Sequence, residues 1–199
     1  MAGKVVAIVG SYRKKGNVDQ AIDTILAAAK ERGAVTEKIY LVDHQIEFCT
    51  NCRACTQVPG TKRGVCVYRD EFESVMLSVE DADILVLGSS VNFGNVTAVF
   101  RRFMERLIGT AYWPWGSTLG PKVRRTELTK HAVLVISSAS PALFLRIFPG
   151  ALRALRTTAK VLGARTVATL IIGQASKHTD ARLPASILRR ARSIGLGVA

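Results

Sequence analysis

Apolar residues along this chain form short unbroken runs that alternate with segments of helical periodicity. The first run, at residues 5–9, is followed at residues 18–31 by apolar positions spaced three and four apart, a segment that ends at Gly33. An unbroken run is typical of a strand covered on both faces, and the spaced pattern is typical of an amphipathic helix. The five strands predicted in this way are residues 5–9, 34–42, 83–88, 131–137 and 165–172. The five predicted helices are residues 18–31, 70–80, 96–108, 150–162 and 183–194.

Alternating strands and helices predict an α/β fold with a doubly wound, five-stranded parallel sheet, because parallel strands need helical crossovers. The 199 residues show no break in composition, so residues 1–199 are expected to form one domain. Two long connections interrupt the alternation. Residues 43–68 hold every cysteine and are expected to be an insert, and residues 109–130 are expected to be a long loop or a lid.

Ligands of such sheets bind beyond the carboxyl ends of the strands, where the strand order reverses. The predicted sheet brings three loops there, residues 11–17, 89–95 and 137–141. The first loop supplies Ser, Arg, Lys and Asn side chains ahead of a helix, whose N-terminus offers unpaired N–H groups and partial positive charge to a phosphate. It matches neither common glycine motif for nucleotides, and an ordinary strand-to-helix turn stays an alternative.

Two of these loops carry the residues of a known family. The sequence GSYRKKGN at residues 10–17 resembles the Gly-Ser-x-Arg-x-x-Gly/Ser-Asn phosphate loop of the flavodoxin-like NAD(P)H-dependent FMN reductases, and SVNFGN at residues 90–95 resembles their Pro-Val-Tyr-Phe-Gly-Ser loop. The resemblance implies a flavodoxin-like fold, FMN as cofactor and NAD(P)H as co-substrate. The residues expected to bind FMN are Ser11, Arg13, Lys14, Gly16, Asn17, Val18, Ser90, Val91, Asn92, Phe93, Gly94, Asn95, Ser137 and Ser138.

The chain departs from the family pattern at three of these positions. Val18 stands where the family usually has Thr or Ser, Ser90 replaces Pro, and Asn92 replaces Tyr. The first change removes a side-chain hydroxyl that would contact the phosphate, and the other two alter the contact with the flavin ring. The alternative for residues 89–95 is a polar turn in which Asn95 caps the following helix.

The four cysteines form the second chemical signal, because Cys49, Cys52, Cys55 and Cys66 fall within one short window. The spacing C-x2-C-x2-C opens the ligand set of bacterial ferredoxins, and a fourth thiol follows ten residues later. Resemblance to the iron–sulfur flavoproteins within the same family implies a [4Fe–4S] cluster near FMN. A zinc site and reduced thiols stay open, although zinc usually takes two paired cysteine units or added histidines.

The charge is strongly positive, with 28 Lys and Arg against 15 Asp and Glu, for a net charge of +13. Such a chain attracts polyanions, anionic lipid and phosphorylated cofactors alike. The basic residues Arg146, Arg153, Arg156, Lys160, Arg165, Arg189 and Arg190, with Phe144 and Phe148, suggest an acidic redox partner or peripheral membrane contact. An export signal and a membrane-spanning run are not recognised in the sequence, so a cytoplasmic protein is expected.

The leading interpretation is an FMN-dependent enzyme that passes electrons from NAD(P)H to a small-molecule or protein acceptor, directly or through the cluster. Family resemblance implies a homo-oligomer, either a dimer or a tetramer. Residues 112–115, YWPW, are candidates to cover the flavin or form a dimer contact, and ordinary loop packing is an alternative. The alternatives are a flavin electron carrier without NAD(P)H turnover and a basic zinc or nucleic-acid-binding module. A recognised nucleic-acid motif is missing, so a specific nucleic-acid partner is not expected.

Overall fold

The computed structural model describes residues 3–143, 150–175 and 182–198. Their central sheet has the strand order β2-β1-β3-β7-β8, with the short strand β4 beside β3. The strands are β1 Lys4–Gly10, β2 Val35–Tyr40, β3 Ile84–Asn92, β4 Asn95–Val96, β5 Ala111–Tyr112, β6 Lys122–Val123, β7 Lys130–Ser137 and β8 Ala164–Ile172. The α-helices are α1 Asn17–Glu31, α2 Phe72–Asp81, α3 Ala98–Arg106, α4 Gly150–Val161 and α5 Ala185–Val198.

The strand order reverses between β1 and β3, because β1 pairs with β2 on one side and with β3 on the other. All pairs along the main path are parallel. Gly10 at the end of β1 is level with Ser89 of β3, and Ser90 is level with Ser137 of β7. The carboxyl ends of three strands therefore meet at one edge, and the predicted doubly wound parallel sheet is confirmed.

The sheet separates two hydrophobic cores, since alternate residues of each strand point to opposite faces. In β1, Val6 and Ile8 belong to the core beneath α2, α3 and α4, whereas Val5, Ala7 and Val9 belong to the core beneath α1 and α5. Each of these β1 side chains is fully buried. Covering both faces explains why the strand sequences are continuous apolar runs.

The loop predicted at residues 89–95 is largely a β-hairpin. Strand β3 continues to Asn92 and pairs with β4, so that the turn consists of Phe93 and Gly94 alone. Both turn residues have positive φ, 47° and 73°, as two-residue hairpin turns of the mirror-image types require. Helix α3 consequently begins at Ala98, two residues later than the apolar spacing predicts.

Residues 109–130, predicted to be a long loop or a lid, contain two short strands. A 3₁₀ turn at Leu107–Thr110 leads into β5, which pairs antiparallel with β6. Arg124 ties this segment to the cysteine insert by donating to the carbonyl oxygens of Cys55 and Val58, at 3.2 and 2.8 Å.

Residues 144–149, which include Phe144, Arg146 and Phe148 of the predicted membrane contact, lie outside the described residues. A helix long and apolar enough to cross a membrane was not found in the described part of the chain.

Helices α1 and α5 pack closely because a glycine lies at their crossing. A Cβ atom added to Gly195 of α5 would lie 2.3 Å from the carbonyl oxygen of Ile25 and 2.7 Å from the Cβ of Ala28. The carbonyl group of Ile25 belongs to the backbone, so it cannot move aside as the end of a flexible side chain could. Gly197, two residues farther along the same helix, has open space at the equivalent position.

We expect Gly195→Ala to lower the free energy of unfolding by about 1–3 kcal/mol, because overpacking separates the two helices. Gly197→Ala is the matched control, and it should leave stability unchanged or raise it by up to about 1 kcal/mol through helix propensity. Urea denaturation followed by circular dichroism measures both. Equal effects of the two substitutions would contradict the close approach of the helices.

Candidate functional site

A cavity of about 340 Å³ lies at the edge where β1, β3 and β7 end. All three loops selected from the sequence contribute to its wall. The predicted residues that line it are Ser11, Arg13, Gly16, Asn17, Ser90, Val91, Asn92, Ser137 and Ser138. The other lining residues, which sequence reasoning did not select, are Tyr12, Thr97, Ala139 and Ala175.

Five predicted residues do not line this cavity. Lys14 points away and forms an ion pair with Asp43, at 2.7 Å between Nζ and Oδ2. The Val18 side chain is buried in the core beneath α1. Phe93 and Gly94 form the exposed hairpin turn, and the side chain of Asn95 accepts a hydrogen bond from the next backbone N–H.

The first turn of α1 forms one end of the cavity and has the features of an anion site. Its N-cap, Gly16, has extended backbone and offers no side-chain cap. Among the described residues, the backbone N–H groups of Asn17, Val18 and Asp19 have no hydrogen-bond partner. The Arg13 side chain is exposed and lines the same cavity. Unpaired donors and the helix dipole together favour a bound phosphate.

Asp19, a buried carboxylate in this first turn, holds the loop in place. It accepts hydrogen bonds from the backbone N–H of Lys15 at 2.5 Å, from Tyr40 at 2.8 Å and from Lys38 at 3.0 Å. Burial alone would raise the pKa of Asp19, but these three donors outweigh burial and lower the pKa below its usual value. Sequence reasoning missed this residue, although an acidic residue at the third helical position is a known helix-start signal.

Thr97 joins two of the cavity loops and was also missed. Its hydroxyl donates to the carbonyl oxygen of Gly10, and its backbone N–H donates to the hydroxyl of Ser89 at 3.1 Å. The same hydroxyl caps α3 by accepting from Phe100 N–H at 3.3 Å. The cap is therefore Thr97 and not Asn95. The preference of helix N-caps for threonine was the signal available in the sequence.

A second cavity, of about 230 Å³, lies in the cysteine insert. All four cysteines line it, together with Thr50, Asn51, Arg53, Tyr68, Arg106, Ile108 and Trp113. Each cysteine is a free thiol. Burial raises the pKa of the Cys55 thiol, and negative charge on the other three cysteines raises it further. Within the described ranges, no three His, Cys, Asp or Glu side chains converge tightly enough to hold a single metal ion.

A buried ion pair closes this cavity on the side of α3. Arg106 donates to both oxygens of Asp70, at 2.5 and 3.2 Å, and to the carbonyl oxygen of Glu47 at 2.9 Å. The two side chains are 2% and 8% exposed. Burial alone would raise the pKa of Asp70, but the hydrogen bonds from Arg106 and from the backbone lower it. Arg106 thereby anchors both ends of the cysteine insert to α3.

The aromatic segment at residues 112–115 packs on the cysteine insert, and none of its residues lines the first cavity. The guanidinium of Arg53 stacks on the rings of Trp113 and Trp115, at 3.6 and 4.1 Å from their centroids. Arg53 also donates to the carbonyl oxygens of Trp113 and Pro114, at 2.6 and 3.0 Å. This stack fixes Arg53 between the second and third cysteines of the motif.

The family model described as NADPH-dependent FMN reductase matches residues 3–176. This chain belongs to that family. The predicted family is confirmed.

Curated relatives point to one branch of the family. An iron-sulfur flavoprotein of Archaeoglobus fulgidus is 33% identical over 111 residues, which cover 56% of this chain and 48% of the relative. Iron-sulfur flavoprotein MJ1083 of Methanocaldococcus jannaschii is 34% identical over 103 residues, which cover 52% of this chain and 51% of the relative. The matched regions thus span about half the length of these curated relatives.

Solved structures share the fold of this FMN reductase family member. An NAD(P)H:quinone oxidoreductase from Methanothermobacter marburgensis aligns with a TM-score of 0.73 and 15% identity over 100% of both chains. An azoreductase from Bacillus anthracis strain Sterne aligns with a TM-score of 0.69 and 15% identity over 98% of this chain and 99% of the other. At such identities the similarity demonstrates the fold alone.

The anchoring role of Asp19 leads to a pH-dependent prediction. Its pKa is lower in the folded state than the value of about 3.9 in unfolded chains, so its contribution is complete above pH 4 and is lost as the pH falls through the folded value. We expect Asp19→Asn to destabilise the protein by about 1–3 kcal/mol at pH 7, and this difference should shrink as the pH falls below about 3.9, where Asp19 of the unfolded chain takes up a proton.

Asp23→Asn is the matched control, because Asp23 contacts the same Lys38 but is 56% exposed. Exposed ion pairs contribute about 0–1 kcal/mol, so this variant should resemble the wild type at both pH values. Urea unfolding curves at pH 7 and pH 3 measure the comparison. A destabilisation by Asp19→Asn that is independent of pH would exclude the carboxylate charge as its cause.

Proposed function

We propose that this protein is an FMN-dependent oxidoreductase that carries electrons from NAD(P)H to an acceptor, with FMN in the first cavity and a [4Fe–4S] cluster in the second. The observation that carries the proposal is the first cavity. It combines unpaired anion donors with the switch point of the sheet in a chain that belongs to the FMN reductase family. Doubly wound sheets bind their ligands at that point.

The first cavity offers separate places for the two ends of FMN. The α1 N-terminus and Arg13 provide N–H donors suited to the phosphate, and the Asn17 side chain donates to the carbonyl oxygen of Ala175 at 2.7 Å. The segment from Ser90 to Asn92 and the pair Ser137 and Ser138 provide polar and backbone groups suited to the edge of the ring. Bound FMN would accept hydride from a reduced nicotinamide, and the chain itself needs no acid or base for that step.

The geometry of the cysteine cavity fits a cluster better than it fits zinc. A single zinc ion needs four ligands that converge at about 2.3 Å from one point, and such convergence is not found in the described residues. A four-iron cluster is held by thiolates at separate corners, so its ligands surround a space. Cys49, Cys52, Cys55 and Cys66 do line one space, of about 230 Å³.

Two further features support redox chemistry at the cysteine cavity. The relatives that match this chain are named iron-sulfur flavoproteins. Arg53 and Arg106 bring positive charge to a site that four thiolates would make negative. The cluster would supply one-electron transfer, and the protein would serve as the scaffold that excludes water around it. The acceptor would be a small molecule or a protein.

We further propose a homo-oligomer with apolar contacts near the first cavity. Tyr12 lines that cavity and is 50% exposed, and Phe93 at the adjacent hairpin turn is fully exposed. Large aromatic side chains exposed next to a cofactor site are suited to contact a second copy of the chain.

The decisive experiment is the anaerobic purification of the full chain, followed by its visible spectrum, iron and sulfide analysis, and assays of NADH and NADPH oxidation. The proposal predicts a flavin spectrum, about four iron and four sulfide per chain, and turnover that depends on an added acceptor. Flavin without iron would reject the cluster alone. Bound flavin without nicotinamide oxidation would favour an electron carrier, and protein that binds no FMN would reject the function.

Arg13→Gln should weaken FMN binding by about 10- to 100-fold, because a hydrogen bond to a charged group contributes about 1.5–3 kcal/mol. Lys14→Gln is the matched control, since Lys14 is paired with Asp43 outside the cavity, and it should bind FMN normally. Titration of the apoprotein by flavin fluorescence measures both. Riboflavin lacks the phosphate, so Arg13→Gln should leave its affinity unchanged; a loss for riboflavin as large as the loss for FMN would contradict a phosphate contact.

Cys55→Ser should remove most of the iron while FMN stays bound, because the thiolate lies in the cysteine cavity and not in the first one. Thr50→Ala is the control, since it changes the lining of the same cavity without removing a thiol. Iron analysis and flavin absorbance on the same samples give the result. Retention of full iron content by Cys55→Ser would contradict ligation by this residue.

A further inference from the structure

Two arginines of the cysteine cavity each have a side-chain nitrogen that lacks a partner. The Nε atoms of Arg53 and Arg106 are buried, and neither has a hydrogen-bond partner among the described residues. Arg106 as a whole is only 4% exposed. A buried N–H group of a charged side chain is costly to leave unpaired, so such groups normally have an acceptor.

Other nitrogens of both side chains are already engaged. In Arg106, Nη1 and Nη2 bind Asp70, and Nη1 also binds the carbonyl oxygen of Glu47. In Arg53, Nη2 binds two carbonyl oxygens, and the guanidinium plane stacks on two tryptophan rings. These contacts fix each guanidinium in position, so that Nε cannot turn to seek another acceptor without breaking them.

The cavity that both residues line suggests the acceptor. Four thiols surround it, and the sulfur atoms of a thiolate-ligated cluster are anionic acceptors. We propose that Arg53 and Arg106 donate N–H···S hydrogen bonds from their Nε atoms to the sulfur atoms of a cluster in this cavity. The two arginines thereby stabilise the reduced cluster, which carries one more negative charge than the oxidised one. This inference rests on the proposed function.

Arg102 provides a comparison within the same helix. It lies one turn before Arg106, its Nε is also buried without a partner among the described residues, and it donates from Nη2 to the carbonyl oxygen of His44 at 3.3 Å. Arg102 does not line the cysteine cavity. A role in binding sulfur is therefore assigned only to the two arginines that combine an unpartnered Nε with a place in the cavity wall.

Hydrogen bonds to cluster sulfur atoms raise the reduction potential of the cluster, so removing such a hydrogen bond should lower the measured potential. Replacement of arginine by lysine keeps the charge and removes Nε–H. We expect Arg53→Lys and Arg106→Lys each to lower the ratio of reduced to oxidised cluster by about tenfold at a fixed potential, which equals about 59 mV for a one-electron couple. Arg102→Lys is the matched control and should leave the ratio unchanged.

The experiment is a redox titration of the anaerobically purified full chain, followed by electron paramagnetic resonance, with iron and flavin measured on each sample. A shift in both cavity variants but not in Arg102→Lys supports the inference. Selective loss of iron from the cavity variants, with normal flavin content and circular dichroism, also supports it. If Arg106→Lys does not fold, Arg53→Lys decides alone.

Unchanged potentials in cavity variants that retain their iron would overturn the inference and leave the proposed function standing. Equal shifts in all three variants would also overturn it, because a general effect of replacing arginine by lysine would then explain the shifts. A wild-type protein that contains FMN but no iron would overturn the inference together with the cluster part of the proposed function.

Discussion

The hydrogen bonds of Thr97 are the interaction on which both cavities depend. Thr97 binds the last residue of β1, Gly10, through its hydroxyl and the side chain of Ser89 within β3 through its backbone N–H. These bonds hold two parallel strands and the start of α3 at one buried point, where Thr97 itself is fully buried. The width of the first cavity is set there, since Thr97 lines it together with the loops that follow both strands.

Helix α3 connects Thr97 at the first cavity to Arg106 at the second cavity. The helix has nine residues, so at about 1.5 Å per residue its two ends are about 14 Å apart. It begins beside the first cavity and ends at Arg106, whose ion pair with Asp70 holds the cysteine insert. Removing one partner of such a buried pair leaves an uncompensated charge. A rigid helix of fixed length thus sets the separation of the two sites.

The sequence was sufficient for the sheet and for most of the first cavity, because both depend on local patterns. Apolar runs predict strands, and the order of strands and helices predicts which loops share an edge. Contacts between distant segments were not predictable in this way. The stacking of Arg53 on Trp113 joins residues 60 positions apart, and neither residue's neighbours in sequence indicate the other. Asp19 likewise reads as an ordinary helix-surface residue until Lys38 and Tyr40 are known to face it.

The residues with strained backbone conformations lie in or beside the walls of the two cavities where cofactors are proposed. Within the described residues, the non-glycine residues with positive φ are Lys15, Asn51, Arg53, Phe93 and Gln174. Such conformations are uncommon and cost of order 1–3 kcal/mol each, and they persist only where surrounding contacts impose them. Three of these residues directly adjoin residues of the first cavity wall, and the other two line the cysteine cavity. The fold therefore tolerates strain at the two places where cofactors are proposed, and regular secondary structure elsewhere supplies the stability that permits it.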